Sequence, residues 1–237
     1  MASLPLYIPV VFILTVLLSV FIFYRASHRS KAVIYASTGW LLLQGIVGYT
    51  GFYLIEDTIP PRFVLLVGPT IIAIIVFFIL PAGRKYLFSL DDKWLTWLHV
   101  VRIPVEIVLF WLFLHKLVPK NITFEGQNMD IIAGITAPLV AYFGYHKKAL
   151  NKWILLVWNI GCLILLSNIV ITAVLSAPSP WQTRAFDQPN VGVLYFPFMW
   201  LPGFIVPVVL LSHLTLLGKI LFGDERKAPK PVQFAGN

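Results

Sequence analysis

The stretch WILLVWNIGCLILLSNIVITAVL at residues 153–175 decides the fold class. It contains no Asp, Glu, Lys or Arg. Because about 20 apolar residues cross the hydrocarbon core of a bilayer as a helix, this stretch predicts a transmembrane span. Its flanks agree with that interpretation, since Lys147, Lys148 and Lys152 precede it and a Pro- and Ser-rich segment at 176–192 follows it.

The same pattern recurs along the 237 residues. Hydrophobic residues make up 59% of the chain and charged residues 12%, against about a quarter charged in soluble domains. We therefore predict an all-α integral membrane protein, a seven-transmembrane-helix bundle formed by residues 1–222 as one domain, with a cytoplasmic tail at 223–237. The spans are expected at about 4–24, 33–55, 63–80, 94–117, 129–145, 153–175 and 195–219.

Lysine and arginine predict the orientation of this bundle. If the segments after the first, third and fifth spans lie on one side with the tail, that side carries thirteen of the 18 basic residues. The other side carries four, namely Arg62, Lys116, Lys120 and Arg184. By the positive-inside rule, the N-terminus is expected outside and the C-terminus in the cytoplasm.

Intramembrane charge points to one candidate site, on the fourth span. His99, Arg102 and Glu106 fall within about 60° of one another on a helix. With Trp94 at the cytoplasmic boundary, Glu106 lies about 18 Å deep, near the bilayer midplane. Charges at that depth are costly, so we expect Arg102 and Glu106 to face the bundle interior and to pair with each other. Pro104 between them frees the Val100 carbonyl to accept another hydrogen bond.

Polar residues on other spans match this depth and are candidates to join the site. They are Gln44 on the second span, Asn168 on the sixth and His213 on the seventh. Asn159 and Ser212, taken singly, are better explained as interhelical hydrogen-bonding residues worth about 1 kcal/mol each.

Two functions fit these residues. The first is small-solute or ion transport coupled to protons, with Glu106 as the protonatable or ion-coupling group. Arg102 is then its counter-charge or the anchor of an anionic substrate, and His99 and His213 act as cytoplasmic-side proton relays. The second is a non-transporting sensor or membrane-complex subunit in which the Arg102–Glu106 pair is architectural.

Cofactor chemistry is a weaker expectation, and the cofactor stays unassigned. His99 and His213 are the minimum for bis-histidine haem ligation in a redox subunit, although no C-x-x-C-H motif is present. No H-x-x-x-H or H-E-x-x-H occurs, which disfavours a zinc hydrolase. The only lysine of the last span is Lys219 at its end, which argues against a retinal Schiff base. No catalytic residue and no metal site are assigned, and an enzyme is disfavoured.

The expected partners follow from the same charges. The basic residues lie in loops between apolar spans, which favours a lipid bilayer over nucleic acid as the partner. A small solute or a proton is the expected ligand, and the plasma or inner membrane is the expected location. The sequence does not fix the oligomeric state.

Overall fold

The computed structural model describes residues 4–223, and every regular element within that range is a helix. The eight α-helices are α1 (Tyr7–Ala26), α2 (Lys31–Tyr49), α3 (Val64–Ile79), α4 (Pro81–Ser89), α5 (Asp92–Leu114), α6 (Ile131–His146), α7 (Lys152–Leu175) and α8 (Leu201–Phe222). Short 3₁₀ helices lie in the connections at Phe52–Leu54, Lys120–Ile122 and Gly192–Leu194. The predicted tail lies outside the described residues from position 224 onward.

Five of these helices are long and apolar enough to cross a membrane: α1, α2, α5, α7 and α8. A sixth span is possible if α3 and α4 are taken together. The prediction of an all-helical chain with several membrane-length apolar helices is confirmed. The count of seven and the orientation stay predictions, because α3 has only 16 residues and α6 is also short.

The largest departure from the predicted spans is the bend between α3 and α4. The two helices meet at an angle of 97°. Leu80 is extended, with ψ 129°, and Pro81 starts α4. A residue before proline is pushed out of the helical region, and proline is well suited to the first position of a new helix, so the chain turns sharply here. The predicted end of the third span near residue 80 therefore becomes the corner of a helical pair.

Helix starts follow local capping. The Asp91 carboxylate accepts a hydrogen bond from the Trp94 backbone N–H at 2.9 Å, and Asn151 caps α7 through Ile154 N at the same distance. The last span begins at Leu201 and not near 195, and its first turn is a π-helix at Leu201–Ile205.

Helices α5 and α8 form the centre of the molecule. Half of the residues in each are buried, against 22% in α7. The outer helices expose large apolar side chains, such as Ile46 on α2 and Val157 on α7, each 68% exposed. A helix that is apolar on its outer face needs a non-aqueous environment, which agrees with lipid as the surrounding solvent.

Candidate functional site

Helix α5 presents His99, Arg102 and Glu106 to the interior, and all three are at most 3% exposed. The helix tightens into a 3₁₀ turn at Leu98–Val101, directly before Arg102. Pro104 cannot donate to the Val100 carbonyl, which removes one α-helical bond from this turn. The irregular backbone thus lies at the centre of the polar cluster.

Arg102 pairs with Asp130 and not with Glu106. Its Nη1 lies 2.8 Å from Asp130 Oδ1, and both side chains are buried. Its Nη2 lies 2.8 Å from Nε2 of His213. The prediction that Arg102 pairs with Glu106 is therefore wrong, because the acidic partner of Arg102 is Asp130. The i,i+4 spacing places the two residues on one face, but the guanidinium extends to the start of α6, where Asp130 lies.

His213 joins three helices through its two ring nitrogens. The Arg102 guanidinium can only donate, so His213 Nε2 accepts from it. His213 Nδ1 then carries the ring hydrogen and donates to Asn159 Oδ1 at 2.9 Å. Asn159 in turn donates from Nδ2 to the Leu155 carbonyl at 2.9 Å. This pattern is that of a neutral imidazole held in one tautomer.

His99 stacks on His213, with ring centroids 3.9 Å apart and planes 20° from parallel. Ser212 Oγ donates to the Leu95 carbonyl at 2.8 Å, so it accepts from His99 Nε2 at 3.2 Å. His99 Nδ1 is buried and has no hydrogen-bond partner. A haem does not fit between two rings in contact, and each Nε2 is already bonded. These two histidines therefore do not suit axial ligation of one haem in this arrangement.

Glu106 forms the other end of the cluster and is 1% exposed. Its Oε1 accepts from the side-chain amide of Asn128, which also donates to the Ile122 carbonyl at 3.1 Å. Asn128 Oδ1 accepts from the Asp130 backbone N–H at 2.9 Å. Asn128 therefore links Glu106 to the residue that pairs with Arg102. The second oxygen, Glu106 Oε2, is buried without a hydrogen-bond partner.

The close approach of α6 to α5 depends on Gly134. A Cβ at this position would lie 2.8 Å from Ile103 Cγ1 and 3.3 Å from Arg102 Cβ. Hydrogen in place of a side chain lets α6 pass against the segment that carries Arg102. This packing brings Asp130, one turn before Gly134, within reach of the guanidinium.

Two predicted site residues lie elsewhere. Gln44 of α2 is buried, and its side-chain oxygen accepts a hydrogen bond from the hydroxyl of Tyr53, which lies in the 3₁₀ helix after α2. Asn168 lies on an exposed face of α7 and donates to the Gln127 carbonyl at 3.1 Å. His213 contacts Arg102, whereas Gln44 and Asn168 do not join the cluster, because depth along a helix does not fix which way a side chain faces.

Asn128 and Asp130 belong to the cluster but were not among the site residues predicted from the sequence. Both fall where a polar loop meets the short sixth helix, a position that resembles an ordinary loop end. One signal was available: a buried arginine requires an acidic partner, and Asp130 is the acid at the start of a neighbouring apolar segment. Within residues 4–223, no group of three or more His, Cys, Asp or Glu side chains is placed to hold a metal ion.

Fold and site together define an all-helical protein with five or six membrane-length apolar helices around a buried polar cluster. Comparisons of the chain with protein families, curated proteins and solved structures found no match.

Proposed function

We propose that this protein is a seven-span membrane protein that transports a small solute or ion coupled to protons. Glu106 is the group that binds and releases the proton or cation. The plasma or inner membrane is its proposed location, with the N-terminus outside and the C-terminus in the cytoplasm.

The observation that carries the proposal is the free oxygen of Glu106. A buried carboxyl group with one unsatisfied oxygen is costly, and it gains free energy when a proton or a cation occupies that oxygen. Arg102 is committed to Asp130 at 2.8 Å, so no directly bonded counter-charge locks Glu106 in its ionised form. Intramembrane acids of this kind are characteristic of ion and proton pathways.

The hydrogen bonds around Glu106 supply a physical link to the rest of the cluster. Asn128 contacts Glu106 by its amide and Asp130 by its carbonyl. A change in charge at Glu106 therefore alters the position of Asp130, and with it the Arg102–His213 contact. His99 and His213 extend this path toward the face predicted to be cytoplasmic.

Transport also requires that the buried cluster becomes accessible. His99, Arg102 and Glu106 are at most 3% exposed, so the structure corresponds to a closed state in this proposal. The 3₁₀ turn Leu98–Val101 in α5 and the π-turn Leu201–Ile205 in α8 are the breaks at which these two helices can bend.

A proteoliposome assay tests the proposal. The purified protein is reconstituted with an entrapped pH-sensitive dye, a membrane potential is imposed, and internal pH is followed with and without panels of small organic anions and cations. We expect proton entry above that of empty liposomes, loss of the excess in Glu106→Gln, and no change in Glu125→Gln, which alters an exposed acid of the nearby loop. Equal rates for Glu106→Gln and the unaltered protein would contradict the role of Glu106.

The second candidate is a sensor or complex subunit in which the ion pair is architectural. It is favoured by the burial of Arg102 and Asp130 and by their direct contact at 2.8 Å. In that case, replacing both residues by apolar ones of similar volume preserves function as well as folding. If the pair serves transport, the double variant folds but moves no protons.

A further inference from the structure

A deep groove opens between α2, α3 and α8, away from the polar cluster. Its volume is about 470 Å³, which lies within the range of ligand pockets. The walls are almost wholly apolar and include Trp40, Ile74, Phe77, Phe204 and Leu211. Nothing in the polar cluster or in the proposed transport function uses this groove.

The α3–α4 corner forms part of the groove wall. Helix α4 bends from α3 by 97°, and its residues Tyr86 and Leu87 line the groove together with Ile74 and Phe77 of α3. Phe77 in the wall is 42% exposed, and its neighbours Ile75 and Val76 are 50% and 43% exposed. In a bilayer such a surface is filled by hydrocarbon.

The end of the groove at α4 is basic on both sides. Ser30 and Ala32 line it from the start of α2, and Lys31 stands between them, next to Arg29. On the α4 side Tyr86 lines the groove and follows Arg84 and Lys85. The basic residues are therefore adjacent in sequence to residues that line this end of the groove.

These four cations, Arg29, Lys31, Arg84 and Lys85, are exposed and form no side-chain hydrogen bond or ion pair within residues 4–223. The two acids that follow α4 in the sequence are engaged elsewhere: Asp91 caps α5 and Asp92 binds Lys219. His28 Nε2 contacts the Ser89 carbonyl at 2.7 Å, which ties the α1–α2 turn to the end of α4. This contact holds together the two segments that carry the basic pairs.

We propose that this groove binds an anionic phospholipid, with an acyl chain between α2, α3 and α8 and the phosphate at the four basic residues. An apolar slot that ends in unpaired cations matches the amphipathic shape of that ligand, and basic pockets between membrane helices bind anionic head groups. A zwitterionic lipid fits the slot but gains less from the charges. The inference is independent of proton transport.

Native mass spectrometry of the detergent-purified full chain, titrated with phosphatidylglycerol or with phosphatidylcholine of the same acyl chains, tests the proposal. We expect preferential retention of phosphatidylglycerol by the unaltered protein. Lys31→Gln with Arg84→Gln should weaken that retention about five-fold for each charge removed. The matched control Lys147→Gln with Lys148→Gln removes two exposed cations that lie away from the groove and should retain the lipid fully.

A second variant tests the acyl slot separately from the charges. Ala73→Phe adds a ring to the groove wall, whereas Ile160→Phe adds one to the exposed face of α7. Loss of phosphatidylglycerol in the first and not in the second supports the proposal. Equal retention of the two lipids by the unaltered protein overturns it. The proposal is also overturned if the charge variant loses the lipid and Ala73→Phe retains it. That result would show that the phosphate group binds at the protein surface and that the acyl chain does not occupy the groove. The proposal is likewise overturned if inorganic phosphate displaces bound phosphatidylglycerol as effectively as the whole lipid does.

Discussion

The guanidinium of Arg102 lies 2.8 Å from the carboxylate of Asp130, which is 28 positions further along the chain. This pair joins the centre of α5 to the first residues of α6, and both partners are withdrawn from solvent. It also leaves Glu106, one turn from Arg102, without a hydrogen-bonded cation. The arrangement places an ion pair and a carboxyl group without a hydrogen-bonded cation in one cluster.

Breaking the Arg102–Asp130 pair on one side should be far more damaging than removing it entirely. Arg102→Met or Asp130→Leu alone leaves an uncompensated buried charge and should cost about 3–5 kcal/mol of stability. The double variant should recover most of that loss. Thermal unfolding in detergent measures all three.

The control for this experiment is the pair Lys219–Asp92, in which Asp92 is 38% exposed. Lys219→Met should cost about 1 kcal/mol or less, because solvent screens a partly exposed pair. If the double variant at positions 102 and 130 is as unstable as the worse single one, the pair is not an independent architectural unit.

Asn159 should hold His213 in its Nδ1–H tautomer. Asn159→Leu removes the acceptor at 2.9 Å and leaves a buried N–H unpaired, at a cost of about 1–3 kcal/mol. Asn168→Leu, the same change on the exposed face of the same helix, should cost less. Nitrogen-15 NMR of ring-labelled histidine reports the tautomer directly. A His213 signal of the Nε2–H form in the unaltered protein would refute the assignment.

Gly134 should tolerate no side chain. Gly134→Ala forces Ile103 or the α5 backbone to shift and should destabilise by about 1–3 kcal/mol, as overpacking does. Gly161 on α7 has open space around it, so Gly161→Ala should be neutral or stabilising through helix propensity. Equal melting temperatures for the two alanine variants would show that the α5–α6 contact is looser than described.

Trp40 should compensate for a missing backbone donor in α8. Pro207 cannot donate to the Gly203 carbonyl four residues earlier, and the Trp40 indole N–H donates to that carbonyl at 2.8 Å. Trp40→Phe should therefore cost about 1–3 kcal/mol. The cost should shrink when Pro207→Ala returns a backbone N–H, and a double-mutant cycle measures this coupling. Strictly additive effects would contradict the compensation.

Much of the fold was predictable because it depends on runs of apolar residues. The stretches that became α1, α2, α5, α7 and α8 are long and mostly apolar, and lipid as solvent requires backbone bonds to close within each helix. The predicted end of the third span near residue 80 agrees with the end of α3 at Ile79. The 97° turn that follows depends on the packing of α4, which no local pattern specifies.

The site was only half predictable, for a related reason. Helical spacing placed His99, Arg102 and Glu106 on one face, and that face is buried. The partner of Arg102 depends on which helix lies opposite, and this is set by the close approach at Gly134. Asn168 lies outside the cluster because equal depth does not determine which way a residue faces around its helix. His213, in contrast, lies on the side of α8 that meets α5.

Glu106 is proposed to exchange a proton inside the bundle. Infrared difference spectroscopy of the reconstituted protein between low and high pH can detect this exchange through the C=O stretch of a protonated carboxylic acid. We expect a pH-dependent carboxylic-acid band that is absent in Glu106→Gln and unchanged in Glu125→Gln. Superimposable difference spectra of the unaltered protein and Glu106→Gln would contradict it, and would leave the cluster as a structural element of the bundle.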